Sequence, residues 1–327
     1  MDIFNSFLFA IISYGIPLLY GTVGEIITEK SGSLNLGVEG TMAIGGVFGY
    51  VIGAACNSLF MGILMAAVFA GLTGLLFAFL TVTLKANQNV TGLAITTFGV
   101  AFYFFMGNAL KSGGNWPVMT ESQNLMRGFA SMIPGVKDVP VIGAIFGQNV
   151  LVYLGILIAV AAYVYLFRTK AGLRTRAIGE NPAAADAVGI NVNRCKYLNI
   201  VLGSAIMGIG GLYMGLNMSG SFEGSSCWIN GYGWISIALV IFAKWNPLYA
   251  ILGTFVFGFF DRLQVFGTTF ASANPAVFGW LGAIPVQIYK MLPFLITAIV
   301  LVIAYIRKNK ENQAPAAIGL NYIREER

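Results

Sequence analysis

Stretches of apolar residues long enough to cross a bilayer alternate along the chain with short polar breaks. A spanning helix needs about 20 predominantly apolar residues. Nine segments approach or meet that length: 7–27, 34–54, 59–84, 92–110, 149–167, 197–217, 232–243, 247–260 and 284–305. The pattern predicts an all-α polytopic membrane protein with about nine transmembrane helices. The seventh and eighth segments are too short to cross alone at full width, and read as half-helices or as parts of a re-entrant element shared with 262–283. Met1-Asp2 carries no basic leader and the first apolar stretch is long enough to remain as a span, so no cleavable signal is expected. On this reading 1–305 form the membrane domain, with an extracytoplasmic loop at 111–148 and a cytoplasmic loop at 168–196, and 306–327 form a cytoplasmic tail.

Composition sharpens the class. Of 327 residues, 57% are apolar and 10% charged, against about 25% charged in an ordinary soluble domain. The net charge of +6 therefore bears on topology rather than on nucleic acid. With 168–196 and the tail inside, fourteen Lys and Arg lie on the inner side and four (Lys111, Arg127, Lys137, Arg262) outside, with Lys290 in the last span. That asymmetry follows the positive-inside rule and places the N-terminus outside and the C-terminus inside. It also puts Asp261-Arg262 beside an outer loop. Histidine is absent, which removes His-containing triads and metal motifs. Cys56, Cys195 and Cys227 are scattered and form no CxxC pair. No Lys follows a Gly, so the Walker A core is missing and any ATP must be bound by another chain. Neither a metal nor a cofactor is expected on this chain.

Glycine numbers 41, and much of it falls inside spans at four-residue spacing, as in Gly45/Gly49/Gly53 and Gly211/Gly215. That spacing stacks small residues on one helix face and lets backbones approach. There is also an echo between Gly37-Val38-Glu39-Gly40-Thr41-Met42-Ala43-Ile44 and Gly231-Tyr232-Gly233-Trp234-Ile235-Ser236-Ile237-Ala238. Each opens an apolar run that is followed by a break, at Asn57-Ser58 and at Asn246-Pro247. The predicted topology enters the two units from opposite sides, as in the inverted repeats of transporters; chance similarity of Gly-rich spans remains the other reading.

Two constellations carry candidate chemistry. In the first, Gly24 to Gly40, Glu25, Glu29, Lys30 and Glu39 lie in or beside apolar spans. A charge at the bilayer centre costs at least roughly 2.5–3.5 kcal/mol, so such groups must pair, face water or sit at the interface. Glu29-Lys30 is expected at the inner surface. Asn35 and Glu39, four residues apart, share a face deeper in, and Gly32, Gly37 and Gly40 break the helix around them. Irregular backbone at depth is tolerated only where it is buried in protein or lines a cavity, which makes this stretch a pathway or gate element. In the second, Arg174 and Arg176 precede Gly179-Glu180-Asn181-Pro182-Ala183-Ala184-Ala185-Asp186-Ala187-Val188-Gly189. Asn181 is a good N-cap, Pro182 suits the first helical position, and Gly189 fits a left-handed stop. The result is a helix of about two turns at 182–188. A helix this short is marginal in water and needs a docking surface.

The stretch Glu29-Lys30-Ser31-Gly32-Ser33-Leu34-Asn35-Leu36-Gly37-Val38-Glu39-Gly40, the loop Arg176 to Ala185 with Gly189-Ile190, and the tail Pro315 to Glu325 resemble permease subunits of bacterial ABC importers in the class serving ribose-type sugars, branched-chain amino acids and nucleosides, and most closely its nucleoside branch. The resemblance covers nearly the whole chain. It implies a multi-pass protein of the bacterial plasma membrane that is not itself an enzyme, paired with a second homologous permease. Two ATP-binding subunits would lie beneath it and an extracytoplasmic substrate-binding lipoprotein outside. Residues 182–188 would be a coupling helix seated on the ATPase. Arg176, Gly179, Glu180, Asn181, Pro182, Ala183, Ala185, Asp186 and Gly189 would form the coupling site, and Asn35 and Glu39 would belong to the translocation pathway.

Aromatics add candidates. Trp116, Trp228, Trp234, Trp245 and Trp280 lie mostly near predicted span ends, where interfacial anchoring is their usual role. A nucleobase could also stack on Phe98, Phe102 or Trp234, since base–aromatic stacking is worth about 1–3 kcal/mol. Two alternatives remain open at the level of sequence. One is an ion-gradient-driven secondary transporter using Glu25, Glu39 or Asp261; the other is an ABC permease for simple sugars or riboflavin.

Overall fold

The computed structural model describes residues 3–112, 141–219, 227–285 and 314–323, with scattered positions between 287 and 302. Among the described residues every regular element is helical. In chain order they are α1 (Ile3–Lys30), α2 (Val38–Ala55), α3 (Leu59–Ala78, extended by a π turn at Phe79–Thr83), α4 (Gln88–Ser112), α5 (Ile142–Phe146), α6 (Val150–Arg168), α7 (Lys170–Glu180), α8 (Pro182–Ala187), α9 (Val192–Met214, followed by a π turn at Gly215–Ser219), α10 (Tyr232–Phe242), α11 (Pro247–Ala273) and α12 (Pro275–Ala283).

Seven of these, α1 to α4, α6, α9 and α11, are long and apolar enough to cross a membrane. The ninth predicted segment, 284–305, is described only in scattered pieces, and the loop 111–148 falls largely outside the described residues. The seventh predicted segment is indeed short, an 11-residue helix. The eighth is a correction. Expected as a half-helix ending at 260, it is the 27-residue α11, capped by Asn246 Oδ1 on the Leu248 N–H at 3.0 Å. The apolar run stops at the charged pair Asp261-Arg262, but the helix does not. Asp261 is instead the fifteenth residue of that helix, so the pair lies mid-helix and not beside a loop.

Helices α1, α2 and α9 form the buried centre, with α3, α4, α6 and α11 around them. Small residues set how closely they pack. A Cβ on Gly53 would stand 2.9 Å from Gly62 Cα, and one on Gly46 would stand 2.8 Å from the Gly211 backbone. The glycine stripes therefore hold helices together, as their spacing predicts. Large aromatics fill the space beyond: Tyr20, Tyr50, Tyr103 and Tyr213 are all fully buried. Their hydroxyls need partners; Tyr20 donates to Leu151 O at 2.7 Å, and Tyr213 accepts from Asn149 Nδ2 at 3.2 Å.

Candidate functional site

Helix α1 ends at Lys30, yet the chain does not leave the protein there. The stretch 31–37 runs back alongside the last turns of α1, and Asn35 N–H reaches Glu25 Oε1 at 2.9 Å. Its backbone is non-helical and buried, with Ser31, Ser33 and Asn35 all at 1% exposure or less. Side chains satisfy it, as buried backbone polar groups require. Asn35 Oδ1 accepts from Gly37 N–H at 2.9 Å, and Leu34 N–H donates to Gln88 Oε1 at 2.8 Å.

Two further carboxylates hold further breaks. Glu39 Oε1 accepts from Gly231 N–H at 2.9 Å, at the start of α10. Glu29 accepts from the indole N–H of Trp245, in the left-handed turn that ends α10. Each of Glu25, Glu29 and Glu39 thus secures a place where the helical backbone is interrupted. Glu29 and Lys30, expected at the inner surface, are enclosed by protein at 3% and 7% exposure; the Glu29 partner Trp245 is distant in sequence and could not be read from it. The two echoing segments also meet directly, since a Cβ on Gly233 would overlap the Glu39 backbone. Trp234 follows immediately and is 41% exposed. Phe98, 59% exposed, stacks on Phe102 at 6.2 Å, and Phe102 stacks on Phe48 at 5.4 Å. That arrangement is a ladder of rings between α2 and α4, separate from the Glu39–Gly231 contact.

The second constellation folds as its capping pattern requires. Asn181 Oδ1 accepts from Ala184 N–H at 2.9 Å, Pro182 opens α8, and Gly189 stops it at φ +85°. The helix ends at Ala187, one residue short of the predicted 188. Ala185 is buried against Ile178 and Val192, Ala183 is half-buried, and Val188 is 77% exposed. The preceding helix α7 was not anticipated. It carries Arg176, whose guanidinium lies 5.0 Å over the Phe167 ring.

The tail ties these parts together. Ala317 N–H donates to Gly179 O at 2.9 Å and Ala316 N–H to Glu180 Oε2 at 3.4 Å. Tyr322 OH donates to Asp186 Oδ2 at 2.8 Å, and Asn321 Nδ2 to Lys85 O at 2.6 Å. Lys196 Nζ reaches both Gly32 O and Leu320 O at 3.5 Å. Gln88, which holds Leu34, also reaches Asn321 Oδ1 at 3.2 Å. Gly179 is wedged in the middle, where a Cβ would overlap the Lys30 carbonyl and stand 3.1 Å from Pro315 Cβ. One network therefore joins α8, the turn after α1, the start of α4 and residues 314–323. A groove of about 510 Å³ opens beside it, bordered by Lys85, Asp186, Asn191 and Tyr322. Of the tail, the motif itself stands out in the sequence; Gln88 and Lys196 do not, because a lone Gln carries no signal and Lys196 reads as one more topogenic charge.

A family model described as branched-chain amino acid transport system / permease component matches residues 7–301. The nucleoside ABC transporter permease protein NupC of Lactococcus lactis is 33% identical over 95% of this chain and 94% of its own. The guanosine ABC transporter permease protein NupQ of Bacillus subtilis is 31% identical over 97% and 96%, and a putative glucose ABC transporter permease protein, TsgC13, of Haloferax volcanii is 31% identical over 94% of each. No solved structure matches. With its spanning helices, its buried re-entrant stretch and these full-length likenesses, the chain belongs to the family of ABC transport permease components, multi-pass membrane subunits of import systems rather than enzymes.

Proposed function

We propose that the chain is the permease of an ATP-driven importer for nucleosides. The observation that carries the coupling role is the network at α8: a short, capped helix with an exposed Val188, tied through Gly179 and the tail to the turn that leads into the re-entrant stretch. A rigid body in contact with two states of a motor can shift an equilibrium only through differential contact. Helix α8 offers the contact and the tail passes its displacement to Lys30–Leu34. In this reading Arg176, Gly179, Glu180, Asn181, Pro182, Ala183, Ala185, Asp186 and Gly189 form the seat for an ATP-binding subunit, and Asn35 and Glu39 belong to the moving part of the pathway. The N-terminus lies outside and the C-terminus inside, 1–305 form the membrane domain and 306–327 the cytoplasmic tail. A second permease completes the pathway, ATP is bound by partner chains, and a binding protein delivers the substrate outside.

The nucleoside assignment rests on the likeness to the nucleoside permease NupC and the guanosine permease NupQ. The glucose permease of Haloferax supports a sugar as the second reading. The test of coupling is reversal of Glu180 and Asp186 to lysine in the whole transporter. The protein should remain in the membrane while co-purification of the ATP-binding subunit falls at least tenfold; full retention would overturn the role of α8. Uptake of labelled adenosine against labelled glucose decides the substrate.

A further inference from the structure

A cavity of about 280 Å³ lies between α1, the start of α10 and α11, lined by Tyr14, Asn230, Tyr232, Asp261, Gln264 and Tyr289 among others. Its size is just under the roughly 300–1,000 Å³ of small-molecule sites. Tyr14 is the twelfth of 28 residues in α1 and Asp261 the fifteenth of 27 in α11, so the cavity sits near mid-depth in the bundle. Neither the coupling network nor the re-entrant stretch uses it.

Its charges are unusual for that depth. An ionisable group inside a spanning segment is expensive and marks a functional site unless it is only a structural pair. Asp261 and Arg262 do pair, but the pairing is unequal. Asp261 Oδ2 takes both the Arg262 guanidinium and the Tyr232 hydroxyl, the latter at 3.4 Å. The guanidinium is further held 3.5 Å over the Tyr14 ring. Asp261 Oδ1 and the side-chain amides of Gln264 and Asn230 have no hydrogen-bond partner among the described residues; Asn230 is exposed and the Asp261 side chain is 38% exposed, so these groups are open to an incoming ligand. The cation is engaged, therefore, while an acceptor and two amides border a cavity walled by aromatic rings.

We propose that this cavity is a substrate site on the transport path, and that it takes a neutral nucleoside. A planar base suits aromatic walls. A carboxamide can both donate to and accept from a base edge, and a carboxylate oxygen accepts from the sugar hydroxyls. With Arg262 already committed, the described lining residues offer a phosphate no free cation, which disfavours nucleotides. The proposal rests on the nucleoside reading above.

The test uses the complete transporter in cells and measures initial uptake of labelled adenosine and of 2′,3′-dideoxyadenosine. Three changes are compared: Gln264→Leu, Tyr232→Phe, and the double change Asp261→Leu with Arg262→Leu. The double change removes both charges together, which membrane interiors and cores tolerate better than removing one. Membrane level and co-purification of the ATP-binding subunit are read in parallel. Adenosine uptake should fall at least tenfold with Gln264→Leu, and the preference for adenosine over the dideoxy analogue should shrink in the double variant, with assembly unchanged. Wild-type nucleoside uptake with rates and preference untouched in all three would overturn the site and leave the nucleoside function standing. No nucleoside uptake by the wild type would overturn both. If a variant fails to assemble, Tyr232→Phe, which deletes one oxygen, decides: a wild-type preference there overturns the proposal.

Discussion

At the scale of single residues, the molecule is governed by two opposite demands, closeness and satisfaction. Gly211 illustrates the first. A Cβ there would overlap the Met42 carbonyl, and backbone cannot step aside as a flexible side chain can. Gly211→Ala is expected to cost at least about 1–3 kcal/mol through overpacking, seen as a lowered Tm of the purified protein in detergent. Glu29 illustrates the second. Its carboxylate holds the buried Trp245 indole, and a buried donor left alone costs about 1–3 kcal/mol. Glu29→Ala should lower Tm by more than Glu29→Gln, which keeps an acceptor; equal losses would show that the contact contributes nothing. The spacing of the glycines was legible in the sequence because helical periodicity fixes which faces they share. The partners of Glu25, Glu29 and Glu39 were not, because each is set by how separate segments meet: Asn35 across a chain reversal, Trp245 and Gly231 across about two hundred residues of sequence.

At the scale of elements, local chemistry predicted best where an element is self-contained. Asn181, Pro182 and Gly189 encode their own start and stop, and α8 forms within one residue of its expected end. Helix α11 failed the same kind of reading. Asp261-Arg262 interrupts the apolar run but not the backbone bonding, and pairing with each other and with Tyr232 and Tyr14 offsets the cost of the two charges within the helix. The tail belongs to this scale as well. Tyr322→Phe removes the bond to Asp186, and truncation before residue 314 removes every tie between α8 and the turn after α1 that runs through the tail. Both variants should reach the membrane at normal levels. Truncation should cut substrate-stimulated ATPase activity of the reconstituted transporter at least fivefold, and Tyr322→Phe should do so more mildly; stimulation equal to wild type after truncation would show that the tail transmits nothing.

At the scale of the whole molecule, hydropathy and charge gave the class and most of the spans, since bilayer thickness imposes a length that any sequence must meet. They placed irregular backbone at depth around Asn35 but could not show that 31–37 turns back against the last turns of α1, because the partners Glu25 and Gln88 are set by how separate segments meet. The proposed orientation makes a direct prediction. Cys56 is exposed in the turn between α2 and α3, and Cys195 is half-buried near the start of α9. In a Cys227→Ser chain, a membrane-impermeant thiol reagent should label Cys56 in intact cells and leave Cys195 unlabelled until the cells are opened. The reverse pattern would invert the topology.

The strap at 314–323 follows the seven described membrane-length helices in the order of translation. A ribosome therefore finishes these helices before it delivers the residues that bond to Gly179 and Asp186. A nascent chain halted at residue 300 would carry all seven described crossings and a capped α8, with only the direct Gly179–Lys30 contact and the Lys196–Gly32 bond joining that region to the turn after α1. In the proposed coupling role, α8 is fully tied to the turn after α1 only once residues 317–322 have been made.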